Sequence, residues 1–202
     1  MKNTSKDIFI TAKPLSKKIS KFISYYYFHQ TKDENYQRSF TFYPHYKHAL
    51  TVYKNSTVDL KENSSTVYPS KEQSVKSLYA INNDRNIKVN IQGPFQKLGI
   101  VFNPLGINHF IAVPLQNIHP NKTGFFTYFG EEFELLSKQV FEEVQIDKKV
   151  TLLDEFFEER YVDFNQSILK KAIEKIINSN GAIQVATLSE ALNVNRRTLL
   201  RL

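Results

Sequence analysis

Alternating apolar and polar positions fill the first half of the chain. Short runs rich in Tyr, Phe, Val and Ile follow one another at roughly even spacing, and polar clusters such as 61–65 and 82–86 separate them. No segment of helical period lies between these runs, so an antiparallel barrel or sandwich is expected and a parallel sheet is not. The predicted strands are 25–29, 39–43, 49–53, 66–68, 77–81, 87–91 and 98–102.

The period changes after residue 103. Pro104 suits a turn or the first position of a helix, and Gly106 can take a positive φ, so the two residues interrupt the strand pattern. A short helix is expected over 107–113, and Pro114 ends it. This break separates a strand-rich part of the chain from a helical part.

Two amphipathic helices are predicted next. The first begins at Gly130, where apolar residues start to recur every three or four positions. The second is expected to begin near Thr151, because Thr151 and Asp154 have the spacing of a capping box. The acidic residues are expected on the solvent face, as in a packed hairpin rather than a catalytic carboxylate array. The predicted inner faces are Phe133, Leu136, Val140 and Val144, then Leu153, Phe156, Phe157 and Tyr161.

The end of the chain has the pattern of a helix-turn-helix. A helix over 165–178 is expected to stop at 180–181, and a shorter helix follows it. Asn193 tolerates the left-handed conformation of a turn, Val194 fills that turn, and Asn195 can cap the next helix. The predicted inner face comprises Leu188, Ala191, Leu192, Leu199 and Leu202, and the predicted outer face Arg196, Arg197, Leu200 and Arg201.

Three arginines on that outer face favour DNA as a partner. Guanidinium groups bridge phosphates, and they pair with guanine O6 and N7 in the major groove, where each pair contributes about 1–3 kcal/mol of discrimination. The alternative from pattern alone is an ordinary helical hairpin whose basic face is solvated.

Charge divides the chain into three segments. The formal net charge is +7, but residues 1–120 carry 16 basic and 7 acidic groups, residues 121–163 carry 5 and 11, and residues 164–202 carry 6 and 2. We therefore predict a β-rich domain over 1–120, a helical connector over 121–163 and a nucleic-acid-binding segment over 164–202. In the first segment, solubility is sufficient to explain the positive charge.

Composition excludes several classes of protein. The absence of Cys excludes disulfides, thiolate metal sites and cysteine nucleophiles. No apolar run approaches the ~18 residues of a membrane span, and the apolar patch at 8–12 is too short for a signal peptide. A cytoplasmic protein that does not contact a membrane is expected.

Candidate chemistry is sparse, and no catalytic residue or cofactor is predicted. His45 and His48 have a spacing that could place two metal ligands together, but the residues that complete a known metal motif are missing, so no metal site is expected. No phosphate-binding glycine loop and no Gly-x-Ser-x-Gly elbow occur. Aromatic residues could line a ligand pocket or belong to the core, and the loose pocket candidates are Tyr43, Tyr53, Tyr79 and Phe102.

Two stretches resemble a known family. Residues 168–202 resemble the opening of the AraC-type DNA-binding module, whose recognition-helix form is matched by Asn195, Leu199, Arg201 and Leu202. Residues 98–118 resemble the signature of a sensor domain often found ahead of AraC modules, with the aromatic block 25–27 in the usual order. The resemblance implies a cupin-like sensor domain that responds to a small-molecule effector and controls transcription. The helices over 130–162 would then couple the sensor to the DNA-binding module, or they would form a homodimer.

The resemblance also assigns roles, and the chain departs from the family pattern. It implies that Arg197, Leu200 and Arg201 face base edges and that Asn195 and Arg196 face phosphate. AraC-type modules use two helix-turn-helix units, of which these 202 residues show only the first. We therefore expect this chain to bind DNA weakly or not at all.

Two other functions stay open at this point. One is a cupin-like small-molecule or carbohydrate receptor without DNA binding, and the other is a metal-dependent barrel enzyme. An enzyme is not the expected class, because no catalytic motif is present.

Overall fold

The structure, a computed structural model, describes residues 7–81, 86–119 and 123–201. Leu202 and most of the predicted turn at 82–86 lie outside these residues. Contacts between residues divide the chain into two units, 1–162 and 163–202. Most of the segment 121–163, for which charge suggested a connector, belongs to the first unit.

The first unit contains two sheets, and the predicted α+β class is confirmed. A six-stranded sheet has the order β1-β2-β9-β4-β7-β10, and a four-stranded sheet has the order β3-β8-β6-β5. The described strands do not close into a barrel. The strands are β1 (Ile8–Ala12), β2 (Ile23–Thr31), β3 (Gln37–Phe42), β4 (His48–Lys54), β5 (Ser56–Lys61), β6 (Ser64–Pro69), β7 (Val75–Ala80), β8 (Ile87–Gln92), β9 (Phe95–Phe102) and β10 (Thr123–Phe125).

All seven predicted strands are present, and one expectation about their pairing is wrong. Strands β6 and β8 pair in parallel, with Val67 opposite Ile91, while the other pairs are antiparallel. The connection between them runs through β7, which belongs to the six-stranded sheet. The chain therefore returns to the four-stranded sheet in its original direction without a helical crossover.

Side chains alternate between the two faces of the six-stranded sheet along each strand, and other elements cover both faces. In β4, Leu50 and Val52 pack into a core shared with helices α2 (Gly130–Glu142) and α3 (Ile146–Glu159). Tyr53 packs on the opposite face, in a smaller core shared with the four-stranded sheet. The order of layers is therefore two helices, the six-stranded sheet and the four-stranded sheet.

Helix α2 begins at Gly130 as predicted, but three expectations about the helical part are wrong. Val144 lies beyond the end of α2 and is 87% exposed. Helix α3 begins one and a half turns before Thr151, whose hydroxyl donates to the carbonyl of Asp147 at 3.0 Å instead of capping a helix. Asp154 is buried rather than solvated.

The break after β9 also differs from the prediction. A 3-10 helix at Gly106–His109 replaces the expected helix, and the only α-helix before β10 in the described residues is α1 (Leu115–Ile118). A second 3-10 helix at Ile19–Lys21 lies between β1 and β2. The positive φ belongs to Leu105 (62°), not to Gly106. Gly106 is required for a different reason, because a Cβ atom there would lie 2.1 Å from the carbonyl oxygen of Phe22.

The second unit contains three helices, α4 (Ser167–Asn178), α5 (Val185–Ala191) and α6 (Arg196–Leu199). Asn180 and Gly181 take positive φ values after α4, as the predicted stop requires. Leu188 is buried, whereas Ala191, predicted on the inner face, is exposed because α5 ends there. Within the described part of the chain, no helix is long and apolar enough to cross a membrane.

Candidate functional site

The first candidate site is the exposed surface of α6. Asn193 has a φ of 52° in the turn before this helix, and the side chain of Asn195 caps it by accepting a hydrogen bond from the Thr198 amide at 2.7 Å. The predicted turn and cap are therefore confirmed. Because the cap uses Oδ1, the side-chain NH2 of Asn195 stays available as a donor.

The structure brings the predicted DNA-contacting residues onto one surface. Arg196, Arg197 and Arg201 are exposed, and Leu200 is 77% exposed. None of the three arginines forms an ion pair with a residue that the structure describes. Three exposed guanidinium groups without an acidic partner among the described residues can bind phosphate, and their role in DNA binding stays a prediction.

The second candidate site is a cavity of about 130 Å³ between the two sheets of the first unit. Most of its walls are apolar, with hydroxyl groups and one lysine among them. Its lining side chains include Tyr27, Phe40, Thr51, Tyr53, Ser65 and Lys97.

Tyr27 fits into this cavity because residue 99 is a glycine. Gly99 is paired with Tyr27 on one side and with Thr51 on the other, in the middle of the six-stranded sheet. A Cβ atom at Gly99 would lie 1.8 Å from the Tyr27 ring, so the ring lies across the bare backbone. The Tyr27 hydroxyl reaches Thr51 Oγ1 at 3.2 Å, which fixes the ring beside the cavity.

Lys97 is the only ionisable cation among the residues that line this cavity. Its Nζ atom lies 5.3, 5.7 and 5.4 Å from the ring centroids of Tyr27, Phe40 and Tyr53. Burial lowers the pKa of Lys97, but the hydroxyl groups of Tyr27 and Tyr53 raise the pKa by more, so the net shift is upward. Lys97 is therefore a cation at neutral pH, held among ring faces and hydroxyl oxygens.

The aromatic pocket candidates do not form one site. Tyr53 lines the cavity, but Tyr43 is 66% exposed. Tyr79 and Phe102 belong to the core beneath the helices. Sequence analysis missed Tyr27 and Lys97; the available signal was Gly99 inside an apolar strand, which indicates a close approach by another group.

The two closely spaced histidines do not converge. The Nδ1 atom of His45 accepts a hydrogen bond from the Lys47 amide, whereas Nδ1 of His48 lies 3.2 Å from the Tyr79 hydroxyl. No group of three or more His, Cys, Asp or Glu side chains that could hold a metal ion occurs in the described ranges.

Buried and half-buried histidines predict that acid destabilises the first unit. Burial lowers the pKa of His29, His48 and His119. As the pH falls below the ordinary histidine pKa of about 6.5, the unfolded chain takes up protons that the folded chain resists. The free energy of unfolding should therefore fall, by at most about 1.4 kcal/mol per pH unit for each proton.

Urea unfolding from about pH 7.5 to about pH 5.5 measures this effect. Replacing His48 with glutamine should flatten the profile, and His45→Gln, which changes an exposed histidine, should not. Burial raises the pKa of Asp154, so protonation of Asp154 acts in the opposite direction. Stability that rises as the pH falls through this range would contradict the prediction.

A larger depression of about 510 Å³ lies at the other end of the sandwich, near Asn55 and Phe95. It is more open to solvent, and Lys54 at its edge is already paired with Glu142. The smaller cavity is the stronger candidate, because no acidic residue that the structure describes lines it or pairs with its cation.

Comparison of the chain with family models, with curated proteins and with solved structures finds no match. The two sites must therefore be interpreted from their own geometry.

Proposed function

We propose that the chain is a DNA-binding transcription regulator of the AraC type, in which a cupin-like β-sandwich senses a small molecule. The observation that carries this proposal is the helix-turn-helix of the second unit. Its turn has a left-handed Asn193, and its last helix is capped by Asn195. In that helix and directly after it, Arg196, Arg197 and Arg201 are exposed and form no ion pair with a described residue.

DNA is the partner that best suits this surface. A capped helix with exposed guanidinium groups can place its first turn in the major groove and hold the flanking phosphates. The exposed Leu200 can contact a thymine methyl group from the same surface. A basic face that is merely solvated would also account for the presence of three arginines. It does not account for their position directly after a helix-turn-helix bend.

Fluorescence anisotropy with a labelled mixed-sequence duplex tests the proposal. The full 202-residue chain is expected to bind weakly, in the range of non-specific complexes with a Kd of about 10⁻⁶ to 10⁻⁴ M. Replacing Arg196, Arg197 and Arg201 together with alanine should weaken binding. The slope of log affinity against log salt should become shallower by about 0.9 for each phosphate that the variant no longer neutralises.

The control is Arg38→Ala, which removes an exposed arginine from strand β3 of the first unit. This variant should bind DNA as the unchanged chain does. Binding that survives the triple substitution unchanged would exclude α6 as the DNA-contacting element.

The second candidate function is a small-molecule binding module without DNA binding, which the cavity between the sheets favours. A chain that binds a small ligand there but no DNA would support this alternative. A homodimer through helices α2 and α3, where Leu135 is exposed, stays a prediction.

A further inference from the structure

Lys97 places a positive charge beside the cavity, and it forms no ion pair with an acidic residue that the structure describes. Ionised side chains away from bulk water are normally paired with an opposite charge. No acidic side chain in the described part of the chain lines this cavity. Within the described ranges, three aromatic rings and the hydroxyl groups of Tyr27 and Tyr53 stabilise the lysine.

The neighbouring carboxylate is already engaged. On β2, His29 pairs with Lys97 across the sheet, and its Nε2 atom lies 2.7 Å from Asp7 Oδ1. The other oxygen of Asp7 lies 3.8 Å from Arg38. Asp7 is thus shared by a histidine and an arginine and does not neutralise Lys97.

We propose that the cavity binds a small monocarboxylate, whose carboxylate pairs with Lys97 and whose apolar part lies between the two sheets. This inference deepens the proposed sensor function and rests on it. The hydroxyl groups of Tyr27, Thr51 and Tyr53 can donate hydrogen bonds to the second carboxylate oxygen.

The composition and size of the cavity restrict the ligand class. One cation and a few hydroxyls match one carboxylate, whereas a phosphate group usually requires several cations or free backbone amides. Here the neighbouring backbone amides belong to strand pairs. Because an apolar cavity of about 150 Å³ admits benzene, a volume of about 130 Å³ suits one ring or a short alkyl chain.

Titration calorimetry and thermal-shift measurements on the full chain test the inference with benzoate and hexanoate as probes. Each acid is compared with its neutral amide, benzamide or hexanamide, and inorganic phosphate is the third probe. At least one carboxylate is expected to bind and raise the Tm, and its amide to bind roughly 10- to 100-fold more weakly, as loss of a charged hydrogen bond predicts.

Variants then test whether Lys97 supplies the positive charge that binds the carboxylate. Lys97→Met keeps the length of the side chain and should weaken carboxylate binding roughly 10- to 100-fold. Lys88→Met, which removes an exposed lysine from strand β8, should have no effect. If the Lys97→Met variant does not fold, Ala49→Leu tests the site instead. The larger side chain on the cavity wall should block the ligand and abolish carboxylate binding.

The outcomes separate this inference from the proposed function. Equal binding of acid and amide, binding of phosphate alone, or no binding of any probe would overturn the carboxylate assignment, while the DNA measurement would still stand. Carboxylate binding that depends on Lys97, in a chain that binds no DNA, would support the inference and favour the small-molecule binding module over the regulator.

Discussion

Replacing Asp154 with alanine is expected to lower the free energy of unfolding of the first unit by about 3–5 kcal/mol. Asp154 Oδ2 accepts hydrogen bonds from the amides of Leu15 and Ser16, both at 2.8 Å, and Oδ1 accepts one from the Tyr26 hydroxyl at 2.7 Å. Tyr26 is fully buried in the core beneath α3. Removing the carboxylate leaves the buried Tyr26 hydroxyl and the part-buried amides of Leu15 and Ser16 without this acceptor, and a buried donor left without a partner costs about 1–3 kcal/mol.

Urea unfolding followed by circular dichroism measures this loss. Tyr26→Phe removes one of the three bonds and should cost about 1–2 kcal/mol. Asp154→Asn keeps the volume and one acceptor oxygen, so its effect should fall between those two. Glu155→Ala, at the adjacent exposed position of α3, should change stability by less than about 0.5 kcal/mol. An Asp154→Ala protein as stable as the Glu155→Ala control would show that water replaces the carboxylate.

Replacing Gly106 with alanine is expected to cost about 3 kcal/mol, at the upper end for overpacking. The added Cβ atom would lie 2.1 Å from the Phe22 carbonyl oxygen. That oxygen is held in place because it accepts a hydrogen bond from the Asn103 amide at 2.8 Å. A backbone atom fixed in this way cannot rotate aside, so the backbone of the 3-10 turn must move.

Two other glycines provide a graded comparison in the same unfolding assay. Gly99→Ala meets the ring of Tyr27, a side chain that can turn into the cavity, and should cost about 1–2 kcal/mol. Gly124→Ala meets only His119, at 3.4 Å, and should change stability by less than about 0.5 kcal/mol. If Gly106→Ala costs no more than Gly124→Ala, the close approach to Phe22 is not a constraint on the fold.

Sequence periodicity predicted the strands where apolar alternation and flanking turns coincide. It missed β1, β5 and β10 for separate reasons. Residues 56–61 are mostly polar, residues 123–125 form only three pairs, and residues 8–12 form an exposed edge. In such strands, pairing with a neighbour decides the structure more than local composition does.

The two candidate sites differ in how far the sequence reveals them. The turn at Asn193 and the cap at Asn195 depend on residues a few positions apart, so local pattern predicted both. The site around Lys97 depends on strands β2, β4 and β9, whose registers no local pattern specifies. The burial of Asp154 was not predicted for the same reason, because the backbone amides that donate to it lie 138 and 139 positions away in the sequence.

The two faces of the six-stranded sheet are under different constraints. One face carries the large core with α2 and α3, and the other carries the smaller core and the cavity. Substitutions at cavity positions such as Phe40 or Ser65 change the cavity wall without altering a side chain of the large core. Under the ligand binding proposed above, specificity can therefore diverge within a constant scaffold, provided that Gly99, whose Cβ position the Tyr27 ring occupies, is retained.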